Sequence, residues 1–247
     1  MKPQMDFMVI AHRGASSYAP ENTLAAFDLA LRMGARHLEL DVESTRDDRI
    51  VVIHDDNVDR TTSGSGPVTS HTLAELRALD AGSWFDAAFA GERIPTLEDV
   101  LERYKDRAHL HTELKGRSPQ LARQTIDLIR RHGMGGHVTI TSFQKARLQE
   151  ARAYGPELPA GWLVPEVNDA TISEARALGL VQICPRADAV TPELVRRLHT
   201  AGFVVRPWGV TTEDLMRRVV QAEADGMTMN FPDKALAYLG KRREAGT

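Results

Sequence analysis

The sequence has little of what several classes of protein require. It contains one cysteine, Cys184, so no disulfide can form within the chain, and this residue lies in an apolar run typical of a buried strand. It has no run of about 18 apolar residues, which argues against a membrane-spanning helix. The 31 basic and 34 acidic residues are well mixed and give a net charge of -3. Without a basic block, we expect no nucleic-acid partner.

The start of the sequence also lacks a targeting signal. Residues 1–6 lead directly into a strand-like segment, without the apolar region and cleavage site of a secretory peptide. We therefore expect a cytoplasmic protein with no integral membrane association. The helical segments show no apolar stripe that would indicate a dimer, so the oligomeric state stays open.

Short β-branched runs alternate with longer amphipathic segments along almost the whole sequence. The predicted strands are Phe7–His12, His37–Val42, His109–Lys115, Val138–Phe143, Ala160–Val164, Leu180–Cys184, Phe203–Trp208 and Gly226–Asn230. The predicted helices are Glu21–Met33, Thr96–Tyr104, Pro119–His132, Gln144–Tyr154, Ala170–Leu178, Pro192–Thr200, Thr212–Ala224 and Lys234–Leu239. Eight βα units predict a TIM (β/α)8 barrel, an α/β fold, as one domain over residues 1–247. The alternative is an open doubly wound sheet, but its glycine-rich dinucleotide turn is absent.

One segment interrupts this alternation. The residues from Glu43 to Pro95 separate the second strand from its helix, and they include an extra strand at Asp48–His54 and a short helix at Leu73–Leu79. Long loops are usually functional or disordered, and the βα loops of a barrel lie at the end where active sites are built. We expect residues 56–95 to be an insertion that forms a wall or lid near the active-site mouth.

Acidic residues share one face of two predicted neighbouring strands. Side chains alternate along a strand, so Glu39 and Asp41 point the same way, while Glu113 lies on a polar face of the next strand. Three converging carboxylates would repel one another and raise one another's pKa. A divalent cation resolves this conflict, and all-oxygen ligation favours Mg²⁺ or Ca²⁺. The alternative is surface salt bridging, which the apolar residues between the acids disfavour.

Two histidines end predicted strands close to other reactive groups. His12 precedes Arg13 and Gly14, which supply a forked donor suited to phosphate oxygens and a sharp turn. His54 ends the extra strand. Two histidines can share general acid and general base work near neutral pH. We interpret several other histidines as structural or exposed: His37, His71, His132, His137 and His199.

Phe143 and Trp208 stand at the ends of later strands. We interpret both as lining the pocket, and Arg206 supports this for Trp208 because it lies on the same strand face. The alternative is that aromatic side chains in these positions simply plug the barrel.

Seven short motifs together resemble the glycerophosphodiester phosphodiesterase family: His12-Arg13-Gly14, Pro20-Glu21-Asn22-Thr23, Glu39-Leu40-Asp41-Val42, His54-Asp55, Glu113-Leu114-Lys115, Ser142-Phe143 and Trp208. Each motif alone is weak, but their order and spacing match the family from residue 9 to about residue 232. The resemblance implies a TIM barrel with a small insertion after strand two and a divalent metal ion. It also implies hydrolysis of a small-molecule glycerophosphodiester to sn-glycerol 3-phosphate and an alcohol.

The resemblance further implies roles for single residues. The metal ligands would be Glu39, Asp41 and Glu113, and the acid–base pair would be His12 and His54. Arg13 and Lys115 would contact the phosphate, and Glu21, which lies in the family's signature, is assigned to the substrate-binding residues. Two positions depart from the family pattern: Asn230, where Asp is common, and Val210, where Asn is common. The head-group preference therefore stays open.

Other functions remain as alternatives. The chain could be a lysophospholipase D, or a phospholipase C-like enzyme that releases a cyclic phosphate. It could also be a barrel that binds a phosphorylated ligand without cutting it, although His12 and His54 argue against this. A sugar-phosphate isomerase-type barrel would need a glycine-rich phosphate loop after its last strands, and the sequence shows none.

Overall fold

The computed structural model describes residues 7–245, so the expectation for residues 1–6 lies outside the described part. The strands are β1 (Met8–His12), β2 (His37–Ser44), β3 (Ile50–Val52), β4 (His109–Leu114), β5 (Val138–Ser142), β6 (Ala160–Val164), β7 (Gln182–Pro185), β8 (Val204–Val205) and β9 (Gly226–Met229). The helices are α1 (Leu24–Arg32), α2 (Leu73–Ala78), α3 (Leu97–Tyr104), α4 (Leu121–Arg131), α5 (Lys145–Tyr154), α6 (Asp169–Ala177), α7 (Pro192–Thr200), α8 (Glu213–Gln221) and α9 (Pro232–Ala245).

Eight of the strands are parallel and form one nearly closed barrel in the order β8-β7-β6-β5-β4-β2-β1-β9. The two ends of this order meet through backbone hydrogen bonds. The Asp225 amide donates to the Val205 carbonyl and the Thr228 amide donates to the Pro207 carbonyl, each over 2.9 Å. Helices connect the strands, so the predicted TIM barrel is confirmed.

Several predicted boundaries are wrong by a few residues, for local reasons. The first helix begins at Leu24 rather than Glu21, because Asn22 has a φ of 58° and Thr23 is the N-cap. The seventh strand of the barrel, predicted over Phe203–Trp208, is confined to β8 at Val204–Val205. Beyond Val205 the pairing with β7 continues only as an isolated bridge between Arg186 and Trp208, and Pro207, which lies between Val205 and Trp208, has no amide hydrogen to donate.

The insertion after β2 begins with β3, which pairs antiparallel with β2. It has a small apolar core of its own, separate from the main core of the barrel. This second core consists of Val51, Ile53, Val58, Val68, Leu76, Ala81 and Ile94. A buried cluster of this kind gives the segment a defined conformation without any contribution from the barrel interior.

Histidines line the end of the barrel interior at which β2 and β4 begin. The His37 and His111 rings approach to 3.3 Å between Nδ1 and Nε2, and His109 Nε2 lies 2.8 Å from Thr139 Oγ1. Burial, followed by the charge of Arg206, lowers the pKa of His37 to about 4. Burial likewise lowers the pKa of His109 to about 4 and that of His111 well below its usual value. These rings are therefore neutral at pH 7.

The helices of the described part are also too short or too polar to cross a bilayer, since none of them between residues 7 and 245 provides a suitable apolar span.

Candidate active site

Three buried carboxylates meet where β2 and β4 lie side by side. Asp41 and Glu113 are direct cross-strand partners, and Glu39 lies two residues before Asp41 on the same face of β2. One oxygen from each of the three side chains lies within 4.8 Å of the others. The predicted convergence is therefore confirmed, and this group could hold a metal ion.

The electrostatics of these carboxylates indicate that their negative charge is poorly balanced. Burial, followed by the charges of Asp41 and Glu113, raises the pKa of Glu39 well above its usual value. Burial and the charge of Asp41 also raise the pKa of Glu113, to about 7. Asp41 Oδ1 is buried and has no hydrogen-bond partner within the described residues. A set of oxygen donors with excess negative charge fits a hard divalent cation.

Asn22 orients the most deeply buried of these acids. Its Nδ2 donates to Asp41 Oδ2 over 2.9 Å, and its backbone adopts the left-handed conformation. Asn22 stands inside the Pro20-Glu21-Asn22-Thr23 motif, but no role was predicted for it. The signal available was its position in the family's signature, beside Glu21.

The turn after β1 brings the Arg13 side chain and backbone to the carboxylates. Its amide donates to Glu39 Oε2 over 3.0 Å, and its Nε lies 3.1 Å from Asp41 Oδ2. Gly14 follows with a φ of +85°, and a Cβ on it would lie 2.5 Å from the Ala26 carbonyl carbon. Only glycine allows this close approach to α1.

His12 and Asn230 form a pair at the ends of β1 and β9. His12 Nδ1 lies 2.7 Å from Asn230 Oδ1, which indicates that Nδ1 carries the proton. Its Nε2 lies 4.0 Å from Glu39 Oε2. Burial, followed by the charge of Arg13, lowers the pKa of His12 to about 4. Asn230 is thus a contact of the candidate acid–base residue, a role that the sequence analysis missed.

His54 is held on both sides of its ring. Nδ1 lies 2.5 Å from Asp55 Oδ1, and Nε2 lies 2.8 Å from Lys115 Nζ. The same ammonium group lies 3.4 Å from Glu113 Oε1. Because a carboxylate can only accept here, the Nδ1 of His54 carries the proton and Nε2 accepts one from Lys115.

A cavity of about 270 Å³ connects these groups. Its lining residues are His12, Arg13, Glu39, His54, Glu113, Lys115, Phe143, Leu163, Arg206, Trp208, Gly209 and Thr228. The Phe143 and Trp208 rings pack edge to face, with centroids 4.8 Å apart. Besides its charged groups, the lining therefore includes an apolar wall formed by Phe143, Leu163 and Trp208.

Glu21 lies behind the cavity wall. Its Oε1 accepts a hydrogen bond from Arg13 over 2.8 Å, and Arg60 of the insertion donates to both of its oxygens. Arg60 also donates to both oxygens of Asp55. Arg60 was not predicted as a site residue, because nothing in the sequence of a polar loop shows which acids an arginine will contact. Its short distance in sequence from His54 was the available signal.

The barrel and this set of side chains together indicate an enzyme that cleaves phosphate esters. Residues 12–234 match the profile of the glycerophosphoryl diester phosphodiesterase family. The chain therefore belongs to this family, whose members are phosphoric diester hydrolases.

Individual relatives agree with this assignment. A glycerophosphodiester phosphodiesterase of Caldanaerobacter subterraneus subsp. tengcongensis is 37% identical over 241 residues, which cover 96% of this chain and 99% of that protein. One of Bacillus subtilis is 35% identical over 247 residues and covers 92% and 84%, respectively. A phosphodiesterase structure from Oleispira antarctica, in complex with the product sn-glycerol-3-phosphate, superposes with a TM-score of 0.89 at 30% identity. That match covers 94% of this chain and 96% of the other.

Proposed function

We propose that this protein hydrolyses glycerophosphodiesters to sn-glycerol 3-phosphate and an alcohol, with a divalent metal ion and two histidines. The observation that carries the proposal is the meeting of Glu39, Asp41 and Glu113 at a cavity that Glu39, Glu113 and two imidazoles line. Family membership and the product bound to the Oleispira antarctica phosphodiesterase support the same substrate class.

The three carboxylates are the proposed metal ligands. Their buried oxygens, the raised pKa of Glu39 and Glu113, and the unpartnered Asp41 Oδ1 all fit a cation that supplies positive charge. Oxygen donors alone favour Mg²⁺ or Ca²⁺ over softer metals. When bound, such an ion would polarise the phosphoryl group and neutralise the charge that develops on it.

Arg13 and Lys115 are proposed to bind the non-bridging oxygens of the phosphate. Both side chains line the cavity, and both lie against the carboxylate cluster. A guanidinium fork and an ammonium group stabilise negative charge strongly where water is excluded. Glu21 affects the substrate through Arg13, because its oxygens are already held by Arg13 and Arg60.

His12 and His54 are proposed to move the protons. Their Nδ1 atoms are held by Asn230 and Asp55, so the Nε2 atoms are the ones proposed to exchange a proton with the substrate. For His54 this requires Lys115 Nζ, at 2.8 Å from Nε2, to turn from the imidazole to the phosphate. One neutral imidazole removes a proton from the nucleophile, and the other, which enters the step as an imidazolium, gives its Nε2 proton to the departing alkoxide. The nucleophile is either water or the adjacent glycerol hydroxyl, which would give a cyclic phosphate that water then opens.

The apolar wall is proposed to hold the non-phosphate part of the substrate. Phe143 and Trp208 pack edge to face on this wall next to Leu163. Trp208 is fixed by a hydrogen bond from its Nε1 to the Val164 carbonyl over 3.2 Å. Rigid aromatic side chains of this kind provide contact area at low conformational cost.

The test is a screen of glycerophosphocholine, glycerophosphoethanolamine and lysophosphatidylcholine with Mg²⁺, with Ca²⁺ and with chelator. The products are identified by phosphorus NMR. We expect sn-glycerol 3-phosphate from the water-soluble diesters and no product with chelator. A stable cyclic phosphate, or cleavage of the lysolipid alone, would favour the alternative phospholipase-type activities instead.

A further inference from the structure

Arg60 of the insertion joins two parts of the candidate active site. Its Nε and Nη2 donate to the two oxygens of Asp55 over 2.6 and 3.1 Å. Its Nη1 and Nη2 donate to the two oxygens of Glu21, each over 2.8 Å. The guanidinium is therefore shared by two bidentate pairs, a geometry that fixes its plane as well as its position.

Each of the two carboxylates also holds a residue of the cavity wall. Asp55 Oδ1 lies 2.5 Å from His54 Nδ1, and Glu21 Oε1 lies 2.8 Å from Arg13 Nη1. An unbroken chain of hydrogen bonds thus runs from the His54 imidazole to the Arg13 guanidinium, with Arg60 at its centre. Arg60 itself is not among the described residues that line the cavity.

Within this series of hydrogen bonds, the negative carboxylates are paired with positive guanidinium groups. Hydrogen bonds from Arg60 hold the pKa of Asp55 well below its usual range. Burial would raise the pKa of Glu21, but hydrogen bonds from Arg60 and the charge of Arg13 lower it to about 2. Both carboxylates are therefore ionised in the neutral range, and the pairing with Arg60 persists there.

We propose that Arg60 is a positioning residue, which holds His54 through Asp55 and Arg13 through Glu21. The imidazole comes from the loop after β3 and Arg13 from the loop after β1, and Arg60 with its two carboxylates connects these loops directly. This inference rests on the proposed function, in which both groups act on the same phosphate. An exposed ion pair contributes little to stability. A displacement of about 1 Å at a reacting group, however, can cost about 100-fold in rate.

The activity test compares two variants of Arg60 with a matched control. Arg60→Gln removes the charge, whereas Arg60→Lys keeps a charge but cannot form two forks. The control is Arg77→Gln. Arg77 lies in the same insertion, its side chain is 49% exposed against 45% for Arg60, and it pairs with Asp99 of the barrel over 2.7 Å.

We expect Arg60→Gln to lower kcat/KM about 10- to 100-fold, as losses of supporting contacts commonly do. Arg60→Lys should recover little of this loss, and Arg77→Gln should stay within about twofold of wild type. Thermal unfolding of the variants should be similar. If Arg60→Gln stays within about twofold of Arg77→Gln, the proposal is overturned.

A double variant tests the route through Asp55. If Arg60 acts on His54 through this carboxylate, the loss in the double variant is smaller than the product of the two single losses, because Asp55→Asn has already removed that part of the effect of Arg60. The loss that Arg60→Gln still adds belongs to the route through Glu21. Losses that multiply would contradict this route.

Proton NMR gives a readout that does not depend on any substrate. The His54 Nδ1 proton should give a downfield resonance, assigned by its absence in His54→Gln. We expect this resonance in wild type and Arg77→Gln, and its broadening by exchange with water in Arg60→Gln. If wild type cleaves no glycerophosphodiester, the proposed function is wrong. The resonance alone then decides on Arg60, and an unchanged signal rejects the positioning role.

Discussion

The two candidate catalytic histidines differ in what holds their Nδ1 atoms. His54 has the carboxylate of Asp55 at 2.5 Å, and His12 has the amide oxygen of Asn230 at 2.7 Å. The two rings therefore provide unlike partners for the two proton transfers, which suits a reaction that needs both an acid and a base.

We predict that His12→Ala and His54→Ala each fold normally and lose nearly all turnover. General acid and general base steps supply about 10²–10⁴-fold each, so losing either imidazole should cost at least about 100-fold. Steady-state hydrolysis of a glycerophosphodiester, with circular dichroism to check folding, measures this. A variant that keeps more than about a tenth of the wild-type rate would contradict the acid–base assignment.

At the scale of elements, the turn between β1 and α1 determines the position of Arg13. Gly14 combines a φ of +85° with a contact against the α1 backbone that leaves no room for a side chain. The Arg13 backbone is also left-handed, with a φ of 56°. The turn therefore carries conformational strain, which the contacts of Arg13 with Glu39 and Asp41 help to stabilise.

We predict that Gly14→Ala lowers the free energy of unfolding by about 1–3 kcal/mol through overpacking, in addition to the cost of its backbone conformation. It should also lower kcat/KM, because α1 and Arg13 must shift. Gly91→Ala is the matched control, since Gly91 has a φ of +93° and open space where a Cβ would be added. Denaturant unfolding of both variants measures the difference, and equal losses would mean that the contact with α1 has no cost of its own.

Contacts between regular strands could be predicted from the sequence, whereas contacts made at the barrel closure and in irregular loops could not. The parity of β2 and β4 predicted that Glu39, Asp41 and Glu113 would meet, because strand alternation and neighbour order are regular. The contact between Asn230 and His12 spans 218 positions in the chain and depends on how the barrel closes. The contacts of Arg60 depend on the conformation of an irregular loop. No periodic pattern encodes either of these, so sequence reasoning could not find them.

At the scale of the whole molecule, the two ends of the barrel interior have opposite electrostatic character. One end gathers acids whose pKa is raised, and the other gathers histidines whose pKa is lowered. The acids at one end and the histidines at the other are largely buried, and this burial is the largest cause of both shifts. The stability of the fold should therefore depend on pH through groups far from the surface.

We predict that His109 makes the folded state less stable as the pH falls. Its pKa is lowered from 6.5 to about 4 by burial, so between these values the unfolded chain binds a proton that the folded chain does not. Its contribution to stability is thus complete above pH 6.5 and is lost as the pH falls to about 4. One unit of pKa corresponds to about 1.4 kcal/mol, so the effect is measurable.

The measurement compares wild type with His109→Gln by urea unfolding at a series of pH values. The buried carboxylates are present in both proteins, so their opposite contribution cancels in the difference. We expect the stability of wild type relative to the variant to decline between pH 6.5 and 4. A difference that is constant over this range would show that His109 titrates alike in the folded and unfolded chains.

The most direct test of the account is a crystal structure of the protein grown with Ca²⁺ or Mn²⁺, with anomalous scattering used to locate the ion. We predict one anomalous peak among the carboxylates of Glu39, Asp41 and Glu113, at about 2.0–2.6 Å from their oxygens. The peak should disappear in Asp41→Asn, which should also be inactive. A protein that shows no ion at this position and hydrolyses glycerophosphodiesters at full rate in chelator would contradict the account.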